Sequence, residues 1–382
     1  MTLSPDRRRV RSVPRAIALA LVALAVLSGG VALAASKVGA HPNLPATTPA
    51  RLVGAVLRAA EHPGPVSGTV NAHVDLGLPS FPVQGAAVPT GIAGLLAELT
   101  GDHRVRLWAS RDGYRADELL PTSERAIYVS AQGGWLWSSD AFTAYRLFGA
   151  QDVARLGRAA AAQDAERARL MHLADPLTLA SAALTAASPT TSVSIGPPVR
   201  VAGRSSYVLV LTPKDATTLV GRVEIAVDAG THVPLSVGVF AKGAASPAIS
   251  AAFSSVSFAP IAASVYRFSP PAGATVQTFR HRSVGESAEA PSGAADPSFT
   301  GSDGGVRVFG AGWSTIVAIR VPASALAATG SAGPARGVDL ARFLPYSGPL
   351  FSVRLVATGD HAWLLAGAVP QSALAGVGSH LS

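Results

Sequence analysis

The chain has 382 residues, a formal net charge of +8, 48% apolar residues and 14% charged residues. That length suits one large domain or one domain with a small companion, and the apolar share supports a sizeable core. Cysteine is absent, which excludes disulfides, thiolate zinc sites, iron–sulfur clusters, thiol catalysis and a lipid-modified N-terminal cysteine.

Arg7, Arg8, Arg9, Arg11 and Arg15, with Asp6 the one acid among them, precede the apolar run Ala16 to Ala35. A basic start, an apolar stretch and the small residues of Ala32-Leu33-Ala34 have the layout of a secretory signal peptide. The run of about 20 residues also suffices to span a bilayer once, so residues 1–36 read as a cleaved signal or a retained transmembrane anchor. Either way the positive end stays in the cytoplasm and the body of the chain lies outside it. Half of the net charge belongs to this leader. The rest shows no basic stripe along the sequence, and nucleic acid is not expected as a partner.

Thr48-Pro49 opens a capped helix through ARLVGAVLRAAEH, ended by Pro63-Gly64-Pro65. Val70, Ala72 and Val74 alternate with Asn71, His73 and Asp75, the pattern of a half-buried strand. A loop from Pro79 to Pro89 and a short apolar helix or lid over Ile92 to Leu99 come next. His103 to Ser110 and Tyr114 to Leu119 form a hairpin about Arg111-Asp112-Gly113. Arg125 to Ser130, Gly134 to Ser138 and Ala144 to Leu147 continue the meander.

Asp152 to Leu170 is charged and alanine-rich, and Asp175-Pro176 opens a second apolar helix. Short strands follow at Thr191 to Ile195, Val199 to Val201, Ser206 to Thr212, Gly221 to Asp228, Pro234 to Ala241 and Ser250 to Phe258. His281 to Gly305, rich in Ser, Gly, Ala and Pro, reads as a linker. After it, Arg307 to Val321, Leu350 to Thr358 and His361 to Val369 are apolar strands, and Gln371 to Gly378 is a short helix.

Three stretches carry a family resemblance: the first helix running into Ser67-Gly68-Thr69-Val70, the hairpin Ile127 to Trp137, and the run from Val201-Ala202-Gly203-Arg204 through Tyr207, Pro213 and Val227-Asp228 to Pro234-Leu235. Residues 46–280 resemble the LolA/LolB lipoprotein-carrier superfamily, including the N-terminal domain of RseB/MucB regulators. Trp363 to Pro370 is similar to the ending of RseB-type proteins. The resemblance implies an α+β fold, mainly antiparallel β: a curved half-barrel with a helical lid, a linker over 281–305, and a small C-terminal α/β segment over 306–382. It further implies an extracytoplasmic protein that binds an acyl lipid or lipoprotein in an apolar cavity. The alternative is a sensor that binds a membrane-bound anti-sigma factor or similar regulatory protein. The absent cysteine departs from LolB.

No catalytic motif stands against that reading. The nine histidines are widely separated, so no metal-ligand pair is spelled out, and no cofactor is expected. Gly310-Ala311-Gly312 has Thr315 where a dinucleotide fingerprint needs its third glycine. Asp112, Asp117 and Glu118 read as a solvated turn at a hairpin. Trp135 and Trp137 share one face of a strand at period two, as core packing or as a cavity wall. On the cavity reading, the lining residues are Leu95, Leu96, Trp108, Trp135, Trp137, Leu179 and Phe240. Asp152 to Leu170 reads equally as a helix that moves over the cavity mouth or as a passive connector.

Overall fold

The structure is a computed structural model that describes residues 42–77, 100–131, 133–147, 176, 190–278, 306–322, 344–358 and 361–381. The signal or anchor segment, Asp152 to Leu170, His281 to Gly305, Leu95, Leu96 and Leu179 lie outside them.

Helix α1 (Pro49–Glu61) starts where the sequence places it. The Thr48 side chain accepts the Arg51 amide at 3.3 Å, Pro49 occupies the first turn, and Leu52 and Val56 turn inward to be buried. Eleven strands follow: β1 (Val66–Val74), β2 (Gly101–Ser110), β3 (Gly113–Leu119), β4 (Glu124–Ser130), β5 (Gly133–Ser138), β6 (Thr143–Leu147), β7 (Thr191–Val201), β8 (Arg204–Pro213), β9 (Val220–Asp228), β10 (Pro234–Ala241) and β11 (Ile249–Ser257). With β12 (Thr275–Thr278) they form one sheet, in the order β12-β6-β5-β4-β3-β2-β1-β11-β10-β9-β8-β7. The sheet is open: β12 and β7 are its edges and do not pair with each other. Every pairing in it is antiparallel except that of β12 with β6. Two meanders, β1 to β6 and β7 to β11, are thus sewn together by β1 against β11. This is the expected α+β architecture, mainly antiparallel β and unclosed.

Alternation divides the sheet into two faces. One face carries α1, over β7 and β8, and the main core: Val70, Val74, Leu107, Ile127, Leu209, Ile225, Val237 and Ile249 belong to it with Leu52 and Val56. We call it the helix face. The other face of β2 to β6 is crossed by the strap, residues 258–274, which runs from the end of β11 through a 3-10 turn (Ala263–Tyr266) to β12. The strap is seated at Gly113. A Cβ there would lie 2.6 Å from the Tyr266 ring, so only glycine lets the strap approach this closely. The Tyr266 hydroxyl donates to Ser110 Oγ at 2.9 Å.

The sequence reading had one strand over Arg307 to Val321. The structure has two, β13 (Val306–Phe309) and β14 (Ile316–Pro322), because Gly310 and Gly312 take positive φ of 73° and 60° and turn the chain. With β15 (Tyr346–Ser347), β16 (Ser352–Thr358) and β17 (His361–Gly367) they form a second sheet, ordered β13-β14-β17-β16-β15, and α2 (Gln371–Gly378) packs on β16 and β17. Leu350, Phe351 and Ala368 from this part join the main core. The Leu219 amide and Thr218 Oγ1 both donate to the Ala368 carbonyl, at 2.7 and 2.8 Å, and Trp313 Nε1 donates to Thr191 Oγ1 at 2.7 Å.

Candidate functional site: the two faces of the β2–β6 sheet

The register of β2 to β6 is regular, so side chains line up in rows across five strands. On the helix face the first row is apolar: Leu107, Ala116, Ile127, Leu136 and Tyr145. Ala116 and Ile127 are fully buried and Leu107 is 1% exposed, so the row is closed to solvent here. The neighbouring row is Val105, Glu118, Arg125, Ser138 and Thr143, which is polar in four of its five places. Glu118, Ser138 and Thr143 are buried. His103, on the same face, bonds Glu118 Oε1 through Nδ1 at 2.8 Å. Arg125 Nη2 lies 3.8 Å from Asp140 Oδ2, and Ser138 Oγ donates to the same carboxylate. Burial works against ionisation of Asp140, but the Ser138 hydroxyl, backbone amides and the Arg125 charge outweigh it and hold the carboxyl below its usual range.

Chemically, the first row is methyl and methylene surface, and the second is a mixture of donors and acceptors. The Ser138 hydroxyl is given to Asp140, not to His103, so the polar row does not form a nucleophile–base pair. Among the described residues no cluster of His, Asp or Glu has the arrangement of a metal site.

The strap face is built from aromatic and arginine side chains. Its main row is Trp108, Arg115, Tyr128, Trp135 and Arg146, in direct cross-strand register. The Arg115 guanidinium sits 4.8 Å from the Trp108 ring centre and 4.7 Å from that of Tyr128. It also holds Asp117, with Nε and Nη2 donating to the two carboxylate oxygens at 2.9 and 2.7 Å. Burial works against the Arg115 charge, and the bonds and charge of Asp117 outweigh it, so its pKa rises. Burial, and then the Asp117 charge, push the Tyr128 phenol up to about 12. Phe268 of the strap inserts among Tyr128, Trp135 and Trp137, with ring centres 4.8, 5.7 and 5.7 Å away.

The structure places four of the lining residues named from the sequence. Trp135 and Trp137 do share a face, and Trp108 shares it too, but that face is the strap face. Phe240 also points away from the main core, beneath the Arg222 guanidinium at 3.6 Å. None of the four stands beside Leu107 or Ile127. The physical reason is register: a strand's alternation groups residues onto a face without saying which face is covered by what. The sequence reading of the carboxylates is corrected. Asp112 is exposed at the turn, but Asp117 and Glu118 are buried on opposite faces, each with a basic partner. The polar row went unnoticed in the sequence because its members are drawn one from each strand. Their signal was Glu118 in line with Tyr114 and Ala116, and Arg125 in line with Ile127 and Val129.

The residues that carry the family resemblance do structural work. Ala202 and Gly203 take φ of 48° and 78° in a tight left-handed turn. Arg204 then forks onto Asp228, with Nε to Oδ1 at 2.5 Å and Nη2 to Oδ2 at 3.0 Å. Asp228 also accepts from the amides of Gly230 and Thr231 and from Thr231 Oγ1, which fixes the turn ahead of Pro234. Tyr207 donates its hydroxyl to the Pro45 carbonyl at 3.0 Å and so ties down the chain before α1.

Among solved structures, the chain is similar to MucB in complex with MucA(peri), at 17% identity and a TM-score of 0.42, covering 85% of this chain and 95% of that one. A second structure of the pair, from Pseudomonas aeruginosa, gives 17%, 0.42, 86% and 97%. A LolA superfamily protein from Nitrosomonas europaea gives 11% and 0.22, over 58% of this chain and 99% of that one. These are members of the two groups that the sequence motifs resemble. No family model matches the chain, and a search of curated proteins finds no match.

Proposed function

We propose that the chain is an extracytoplasmic, non-catalytic binding protein that takes the acyl chain of a lipid or lipoprotein against the helix face of β2 to β5. The observation that carries this reading is the pair of adjacent rows. Leu107, Ala116, Ile127 and Leu136 form a continuous apolar strip, and Glu118, Arg125 and Ser138 bound it on one side. An amphiphile has the same two-part character. Each buried methylene contributes about 0.8 kcal/mol, so half a dozen suffice for useful affinity without any directional contact. Because the strip is closed, a ligand enters only as its cover opens, and binding should be slow relative to diffusion.

The test is uptake of a fluorescent fatty acid by delipidated protein. Saturable uptake that Ile127→Asp abolishes and Leu136→Met leaves intact is expected, with unfolding curves confirming that both variants fold. Failure of several acyl ligands to bind at micromolar concentration overturns the reading. A second reading, a sensor for a membrane-bound regulatory protein, is favoured by the C-terminal sheet being bonded into the main core through Ala368. Recovery of one stoichiometric membrane protein in place of lipid would favour it.

A further inference from the structure

The fold gathers arginines that the sequence scatters. Arg104 and Arg106 follow one another at period two on the strap face of β2, and Arg146 lies across the sheet on β6, 5.6 Å over the Trp135 ring. Arg267 sits between two strap residues that anchor inward, Tyr266 and Phe268, and is itself exposed. Arg104 and Arg146 are exposed too, and the Arg106 side chain is 42% exposed and lies 5.8 Å from the Trp108 ring centre. Among the described residues, the acids of this face, Asp102, Asp117 and Glu124, are fewer than its arginines. Asp117 is buried and already gripped by Arg115, Asp102 is held by His73 at 2.9 Å, and Glu124 is half-buried. Partly exposed Trp108 and Trp135 lie among the arginines, and Phe142, 44% exposed, stands against Trp137 at one end.

We propose that this face docks flat on an anionic phospholipid bilayer. Three features select that occupant. The cations are all arginine, whose fork matches a phosphodiester in a bidentate way. Two of them stack on tryptophan, which places charge and indole at the same depth, as the headgroup boundary requires. The rings of Trp108 and Trp135 are half-exposed beside the strap, at the same face as the arginines. The docking face is opposite the apolar strip, so it stands or falls independently of acyl binding.

The experiment is co-sedimentation of the full chain with vesicles of phosphatidylcholine alone and of an equimolar phosphatidylcholine–phosphatidylglycerol mixture. The five arginines of the N-terminal segment themselves favour anionic vesicles, so Arg7, Arg8, Arg9, Arg11 and Arg15 are replaced by Gln in every protein compared, and the excess on the mixed vesicles then reports the face. That excess should fall with added salt. Replacing Arg104, Arg146 and Arg267 together by Gln should cost roughly a hundredfold in it, about fivefold per arginine, with binding to phosphatidylcholine unchanged. The matching Lys variant should keep most of the excess, and urea unfolding should show all three proteins equally stable. An excess that survives the Gln variant overturns the proposal. So does loss of binding to both kinds of vesicle, or binding of a single-stranded oligonucleotide through the same arginines as tightly as the mixed vesicles.

Discussion

The Asp117 carboxylate is 1% exposed beneath the strap face, and Arg115, 25% exposed and held between Trp108 and Tyr128, is its main partner. Asp117→Ala removes both oxygens and leaves a guanidinium walled by two rings, with the Val265 carbonyl at 3.5 Å as its remaining acceptor. Breaking a fully buried pair costs about 3 to 5 kcal/mol. Arg115 keeps some contact with water, and Arg106 reaches Asp117 only at 3.5 Å, so the expected loss is nearer 2 to 4 kcal/mol. Arg115→Met should cost a similar amount by stranding the carboxylate. The double variant should cost less than the sum, because neither charge is then left alone. Urea unfolding followed by tryptophan fluorescence gives all three values, since Trp108 and Trp135 lie in the same row. A loss under about 1 kcal/mol for Asp117→Ala, or strict additivity in the double variant, would refute the view that this pair is held by mutual neutralisation.

Phe268→Ala should lower stability by about 2 kcal/mol, less than the loss at a fully buried Phe because the side chain is half-buried, and it should speed amide exchange in the strap more than in β8 or β9. At Gly68 an added Cβ would lie 2.0 Å from the Ser255 carbonyl oxygen, so Gly68→Ala should separate β1 from β11 locally and cost more than about 3 kcal/mol, read by thermal unfolding. Asp215 is held at about 2, well below its usual 3.8, chiefly by the Ser314 hydroxyl and then by Thr217. A depressed folded pKa means that its contribution to stability is full above pH 3.8 and is lost as pH falls toward 2. Ser314→Ala should raise the Asp215 pKa in an NMR titration, and an unmoved value would remove Ser314 as the cause.

Alternation and turn chemistry by themselves determined where most strands lie. His103 to Ser110, Arg125 to Ser130 and Pro234 to Ala241 carry the period-two pattern or apolar runs between turn residues, and their strands are found at those places. The helices Pro49–Glu61 and Gln371–Gly378 were equally legible, because a Thr-Pro cap and a Pro before a helical run are local signals. Tertiary structure alone decided three things. The first was the sewing of two meanders into one sheet by β1 against β11, a pairing nearly two hundred residues apart in sequence that no local pattern encodes. The second was the parallel strand Thr275–Thr278, whose partner Thr143–Leu147 lies well over a hundred residues earlier. The third was which face is which. Period two tells that Trp135 and Trp137 lie together and that Ile127 lies with neither. It cannot tell that the strap returns to cover the tryptophans while α1 shares the core of the isoleucine, because what covers a face is chosen by chain that arrives from elsewhere.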